Sequence, residues 1–398
     1  MDRPRPESLP VAVLLTALVA FGAVSTDLYL PSLPDLTVAF GASVSQVQLT
    51  LSVFVAGFAV AQLIYGPLSD RFGRRRVLIA GVVTYFLASL VCLSATTIEG
   101  LIFGRFLQAL GACSGPVIGR AIVRDVYPRE QAARVFSYMA SAMALAPAVA
   151  PIVGGWAHSL WGWQANFVLL SLFGAALLIG VWLMLVETNA HPDPHALVPR
   201  RMLRTYWSLL RDRGFLGHVM TAGFSFGGLF SFISGSAFVL IGVLKVDARD
   251  FGFAFGAVVA GYIAGTFTAG RLSRRVGLER MIGAGTLLGC AAGALLAGLA
   301  FAGVETVAAV IAPMSLYFFS VGLVLPNATA AAISPFARIA GSASAMLGCL
   351  QMGTGALAGW AVGLLHDGTT RPMSAVVLVS GLAAAAVYFG VVKSRPPI

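Results

Sequence analysis

The sequence predicts an all-α membrane protein of about twelve transmembrane helices, arranged as two pseudo-symmetric six-helix bundles. Three observations predict it. Of 398 residues, 58% are apolar and 11% charged, against about 25% charged in an average soluble protein, so too little polar surface exists to cover a globule of this size. Apolar stretches of about 18 to 25 residues recur along the chain, each able to cross a hydrocarbon layer of roughly 30 Å at about 1.5 Å per residue. A sequence pattern from the first half also returns in the second at a constant distance.

The apolar stretches fall near residues 9–30, 46–67, 77–96, 99–122, 134–157 and 164–186, then near 215–241, 250–270, 281–302, 306–329, 341–364 and 373–392. They are too long and too uniformly apolar for barrel strands, which alternate, and backbone polar groups in lipid must pair within the segment, which leaves helices. The basic start and the apolar run behind it have the layout of a secretory signal, but the run exceeds a typical signal core, so an uncleaved first span is expected. Residues 187–213, with Pro192, Pro194, Pro199 and five arginines, form the one long polar connection. The expected division is therefore an N-terminal bundle over 1–186, a cytoplasmic linker over 187–213 and a C-terminal bundle over 214–398.

The formal charge is +10, and its distribution orients the chain. Arg71, Arg74, Arg75 and Arg76 follow span two; Arg124, Arg129 and Arg134 follow span four; Arg200, Arg201, Arg204, Arg211 and Arg213 follow span six; Arg271, Arg274, Arg275 and Arg280 follow span eight; and Arg338 follows span ten. Arg3, Arg5, Lys393 and Arg395 flank the ends, whereas the alternate loops hold only Lys245, Arg249 and Arg371. Cytoplasmic loops carry the excess of arginine and lysine, so both termini are expected in the cytoplasm, which requires an even number of spans. Basic residues scattered over short loops form no stripe for nucleic acid. Cys92, Cys113, Cys290 and Cys349 are unclustered, and His158, His191, His195, His218 and His366 are scattered, so no metal site or other cofactor is expected. No glycine-rich nucleotide loop with lysine is present either, and no soluble catalytic domain, so neither an enzyme nor an ATP-driven pump is expected.

The repeat joins Gly66-Pro67-Leu68-Ser69-Asp70-Arg71-Phe72-Gly73-Arg74-Arg75-Arg76 to Gly270-Arg271-Leu272-Ser273-Arg274-Arg275-Val276-Gly277-Leu278-Glu279-Arg280, with six of eleven positions identical at an offset of 270 − 66 = 204 residues. The same offset pairs Ala133-Arg134 with Ala337-Arg338 and Gly155-Trp156 with Gly359-Trp360. Two parallel six-helix halves of this kind belong to transporters that alternate access around a site between the halves.

These segments resemble the major facilitator superfamily, and within it the drug:proton antiporters of the bicyclomycin/chloramphenicol-resistance (Bcr/CflA) type. Thr26-Asp27-Leu28-Tyr29-Leu30-Pro31-Ser32-Leu33-Pro34 resembles that group's first-span signature, and Gly66 to Arg76 resembles the superfamily's loop between helices two and three. Arg105-Phe106-Leu107-Gln108 with Gly111 resembles the fourth-helix motif of proton-coupled members. Ala146-Pro147 through Ala150-Pro151-Ile152-Val153-Gly154-Gly155 resembles the fifth-helix motif of antiporters, and Phe232 to Phe238 resembles a seventh-helix stretch. Two positions depart from the pattern: Arg274 stands where Asp70 stands in the first half, and Gln164 stands where many relatives carry arginine. The resemblance implies a major facilitator fold in the bacterial inner membrane, exporting small molecules against protons, with a monomer as the working unit.

An ionised carboxylate in hydrocarbon costs about 2.5 to 3.5 kcal/mol, so Asp27 inside span one needs a reason. Loss of hydration favours its protonated form and a neighbouring cation its ionised form. Counted in from the span ends, Asp27 and Arg105 lie at similar depth, about 5 and 9 Å. Asp27 is therefore expected as the proton-carrying and cation-sensing group, tuned by Arg105 directly or through Gln108 and water. The bland readings are an interfacial cap before Pro31 for Asp27 and snorkelling to headgroups for Arg105. Asp70, Arg71 and the arginine run can pair with helix ends, and the resemblance implies that Gly66, Asp70, Arg71, Gly73, Arg74 and Arg75 form a conformational latch, beside their role in orientation. Pro147 and Pro151, one turn apart, loosen span five, and Gly154 and Gly155 follow on the same helix. Tyr29, Gln62, Tyr138, Asn166, Ser234, Tyr262, Tyr317, Asn327 and Gln351 are candidates for the cavity wall or for bonds between helices. A mostly apolar cavity suits amphipathic drugs of the phenicol or bicyclomycin kind; export of one metabolite, such as an amino-acid derivative, is the alternative.

Overall fold

The computed structural model describes residues 8–393, and Arg3, Arg5 and Arg395 lie outside the described residues. Among those residues the chain is helical almost throughout. The first span is made of α1 (Leu9–Val19), α2 (Phe21–Asp27) and α3 (Leu33–Phe40), and is bent by 46° after α1. It is followed by α4 (Val44–Phe72), α5 (Arg74–Leu93), α6 (Ile98–Val126), α7 (Arg129–Trp161) and α8 (Gln164–Met184). A short helix, α9 (Pro199–Arg211), leads into α10 (Arg213–Ala237), α11 (Ala248–Val276), α12 (Leu278–Phe301), α13 (Val307–Ile333), α14 (Ala340–Leu364) and α15 (Arg371–Val387).

Ten helical runs among the described residues are long and apolar enough to cross a membrane, and the bent first pair adds one more. The run Val307–Leu364 holds 58 residues, about 87 Å of helix, which is nearly three hydrocarbon thicknesses. It breaks at Ser334–Ile339, where Phe336 leaves helical geometry, and so makes two crossings. Twelve crossings result.

Several helices start where a side chain takes up the free N–H groups of the first turn. Ser43 and Gln46 form a reciprocal capping box ahead of α4. Thr97 Oγ1 accepts from Gly100 N, Asp212 Oδ1 from Phe215 N, Asp247 Oδ1 from Arg249 N, and Thr306 Oγ1 from Ala309 N. The duplication is visible in the backbone. Gly73 and Gly277, an offset of 204, hold φ of +95° and +91° at matching helix starts, and Gly41 and Lys245, again 204 apart, hold +58° and +59°. Lys245 is the single non-glycine residue with positive φ among those described.

The two sets of helices meet along two antiparallel seams, each the counterpart of the other under the repeat. In one, α4 runs the length of α14, with Gln48 beside Gly363, Ser52 beside Gly359 and Gln62 beside Gly348. In the other, α7 meets α11 near the Asp27 end of the molecule: a Cβ on Gly155 would lie 2.3 Å from the Ala248 carbonyl oxygen, and one on Gly252 would lie 2.5 Å from Ile152 Cα. Nearer the arginine-rich end, Tyr138, Met143 and Leu145 of α7 are exposed.

Candidate functional site

The break in the first span sets a carboxylate among packed helices. α2 ends at Asp27, and the backbone continues through a 3-10 turn at Leu30–Ser32 around Pro31. Asp27 is 2% exposed, and its Oδ1 accepts from Thr26 Oγ1 at 3.0 Å. The span does not end at Leu30 but runs on to Phe40, so Asp27 lies farther from the helix end than the sequence spacing implies. α7 covers it: a Cβ on Gly154 would stand 1.6 Å from the Leu28 carbonyl oxygen, an approach that only glycine permits.

Arg105 of α6 is 0% exposed. Its guanidinium carbon lies 4.4 Å from the centroid of the Tyr29 ring and 4.2 Å from that of Phe54, an arrangement in which ring faces replace part of the lost hydration. Nη1 donates to Gln108 Oε1, and Gln108 Nε2 donates to Ser89 Oγ at 2.7 Å. Tyr29 is fixed by its hydroxyl: Thr50 Oγ1 already donates to the Val47 carbonyl, so the tyrosine donates to Thr50, at 2.9 Å. Arg105 Nε and Nη2 have no hydrogen-bond partner among the described residues. The expected direct pairing of Asp27 with Arg105 is not formed here: no ion pair joins them among the described residues, and Tyr29, two residues beyond Asp27, is the residue that reaches the guanidinium. The site is a buried acid and a buried cation on adjoining helices, with the cation still holding free donors.

The loop between α4 and α5 is tied to the first half and to the start of the linker. Arg74 pairs with Asp70, and its Nε donates to Asp125 Oδ2 at 3.0 Å. Arg75 Nε donates to the Leu185 carbonyl at 2.8 Å and Nη2 to that of Trp182 at 3.1 Å, placing a cation at the C-terminal end of α8. Gly73 leaves room for Glu187, whose carboxylate accepts from Arg74 N and Arg75 N and so caps α5. Arg71 rests over the neighbouring Phe72 ring, and Gly66 has open space around it. The matching loop of the second half lacks this carboxylate, and the space beside Gly277 is open.

A family model described as the Major Facilitator Superfamily matches residues 13–359. The chain belongs to that superfamily. It is 33% identical over 391 residues to an uncharacterized MFS-type transporter, YdgK, of Bacillus subtilis (strain 168), with 98% of this chain and 97% of that one covered. It is 31% identical over 379 residues to a bicyclomycin resistance protein homolog of Haemophilus influenzae, covering 93% of each. The crystal structure of a bacterial homolog of the human lysosomal transporter Spinster, inward-facing and occupied, superposes with a TM-score of 0.75 at 16% identity over 98% of each chain. Superfamily membership makes this a multi-pass membrane transporter and not an enzyme.

In this superfamily member the proline-containing segment of α7 sits at the seam between halves. Pro147 and Pro151 lie inside α7, and the glycines that follow contact different partners, Gly154 the first span and Gly155 the start of α11. The polar residues expected on a cavity wall scatter. Tyr29 joins the Arg105 cluster. Gln62 and Ser234 lie in helix seams, the first against Gly348 and the second with its hydroxyl toward the Gly359 carbonyl. Asn327 is buried and donates to the Leu323 carbonyl of its own helix. Tyr138 is exposed and accepts from Arg134 Nε, while Tyr262 and Gln351 are half-buried. Sequence reasoning missed Asp125, Glu187 and Phe54. An acid directly after each of spans four and six was the available signal for the first two; Phe54 offered none, being one apolar residue among many.

Proposed function

We propose that this transporter expels small amphipathic compounds, of the phenicol or bicyclomycin kind, across the bacterial inner membrane in exchange for protons. The two halves, 1–186 and 214–398, rock about the site between them, with the arginine-rich end and both termini in the cytoplasm. The relative named for bicyclomycin resistance supports the cargo class. The observation that carries the coupling is the burial of Asp27 just before the 3-10 turn of span one, next to a helix that touches both halves. A carboxylate enclosed there is stable when protonated or when facing a cation, so proton and cationic or dipolar cargo occupy it in turn, and arrival of the one goes with departure of the other. Arg105, held by Tyr29, Phe54 and Gln108, presents its free donors to the same region and biases that exchange. Asp70, Arg71, Arg74 and Arg75 act as the latch, and Pro147, Pro151, Gly154 and Gly155 as the moving seal.

Purified protein in proteoliposomes carrying an imposed pH gradient tests this. Chloramphenicol or bicyclomycin is expected to move against the gradient, and transport is expected to vanish with a protonophore. Asp27→Asn is expected to insert normally and lose gradient-driven transport. Undiminished gradient-driven transport in Asp27→Asn would overturn the role of this carboxylate.

A further inference from the structure

The linker between the halves contains an element whose outer face has no partner among the described residues. α9 is anchored on one side: Leu209 is buried against α10 and α14, with Tyr206 and Leu210 beside it. Tyr206 also donates its hydroxyl to the Leu63 carbonyl of α4 at 2.9 Å, so α9 straps one half to the other. The apolar arc does not stop where this contact stops. Leu203 and Trp207, one turn apart, are 68% and 55% exposed. Alongside them Arg200, Arg204 and Arg211 fall on one stripe at helical spacing, all exposed. Arg211 stacks on the Trp207 ring at 5.0 Å. None of the three has an ion pair among the described residues, whereas Arg201, farther round the helix, is engaged by Asp193 at 3.1 Å.

We propose that this outer face of α9 lies in the interface of the lipid leaflet at the arginine-rich end and binds anionic phospholipid. An apolar edge of leucine and tryptophan beside a row of unpaired arginines fits the boundary between acyl chains and acidic headgroups. Position supports it: α9 joins α10 directly and bonds to α4, so it sits where spanning helices leave the membrane. The leaflet then grips a strap that crosses the two halves, independently of cargo or proton coupling.

Full-length protein carrying a nitroxide at Leu203→Cys or Ser208→Cys, with the native cysteines replaced, tests this in vesicles of phosphatidylcholine with or without phosphatidylglycerol. With phosphatidylglycerol, the Leu203 probe is expected to collide with oxygen dissolved in the acyl region more than with a water-soluble nickel chelate, and the Ser208 probe to do the reverse. Each of Arg200→Gln, Arg204→Gln and Arg211→Gln is expected to lower the ratio of inserted to water-exposed Leu203 probe about fivefold. The lipid comparison needs no arginine change, so a poorly folded variant does not remove the test. A water-exposed Leu203 probe in acidic vesicles overturns the proposal, as does insertion indifferent to lipid charge. Protection that grows with protein density would assign the face to a second copy of this chain and also overturns it.

Discussion

Arg105 combines opposing contributions. Its bond to Gln108 and its ring contacts stabilise the charge, while two buried nitrogens without partners, Nε and Nη2, are each a cost of about 1–3 kcal/mol. Arg105→Met removes those costs but leaves Gln108 Oε1 without its donor, a loss of about 1–3 kcal/mol, so the two largely offset. Arg105→Met is therefore expected to change thermal stability in detergent by no more than about 3 kcal/mol while abolishing proton-driven transport. A stability loss matching the transport loss would make the residue merely structural. Lys245 poses a simpler case. It holds the left-handed conformation that glycine holds at Gly41 in the first half, at a cost of roughly 1–2 kcal/mol for a residue with a side chain. Lys245→Gly is expected to gain about 1 kcal/mol, visible as a raised melting temperature, since the lost bond from Nζ to the Gly242 carbonyl is exposed.

Among elements, α7 carries the tightest geometry. Both of its consecutive glycines face main chain, one the first span and the other α11. A valine at Gly155 cannot be relieved by a rotamer change, because its own Cβ would meet the carbonyl oxygen of Ala248. Gly155→Val is expected to pry α7 from α11 at the Asp27 end and populate an arrangement open there. Spin-label distances across that seam should lengthen, and unchanged distances would show that the seam yields elsewhere. The elements also mark what the sequence concealed. Hydropathy located all twelve crossings, because a length of apolar residues is a local property. The helix α9 was hidden inside a stretch read only as linker, since prolines and arginines masked a 3.6-residue pattern running through Leu203, Tyr206, Trp207 and Leu210. The bend in the first span was equally invisible, because its break at Ala20 has no proline or glycine before it to announce it.

At the scale of the molecule, the 204-residue offset carried real information: it anticipated the paired helix starts at Gly73 and Gly277, and its seams repeat as α4 with α14 and α7 with α11. What it could not carry was which side chains meet across the bundle. Spacing put Asp27 and Arg105 at similar depth, yet the first span runs on past Leu30 to Phe40 and it is Tyr29 that reaches the guanidinium. Between halves at the Asp27 end, Gln48 Nε2 donates to the Ser234 carbonyl at 3.1 Å while Gln48 Oε1 is unsatisfied. Gln48→Leu removes that bond, worth about 0.5–1.5 kcal/mol, and is expected to raise the population open at this end up to about tenfold, measurable by the same distance method. The second seam closes with main chain against main chain at Gly155 and Gly252, and Arg249 Nε donates to Ser159 Oγ across it at 3.1 Å. Where backbone meets backbone, the fit depends on the absence of a Cβ and not on which side chains line the rest of the bundle. Substitutions deeper in the protein therefore leave that abutment as tight as before.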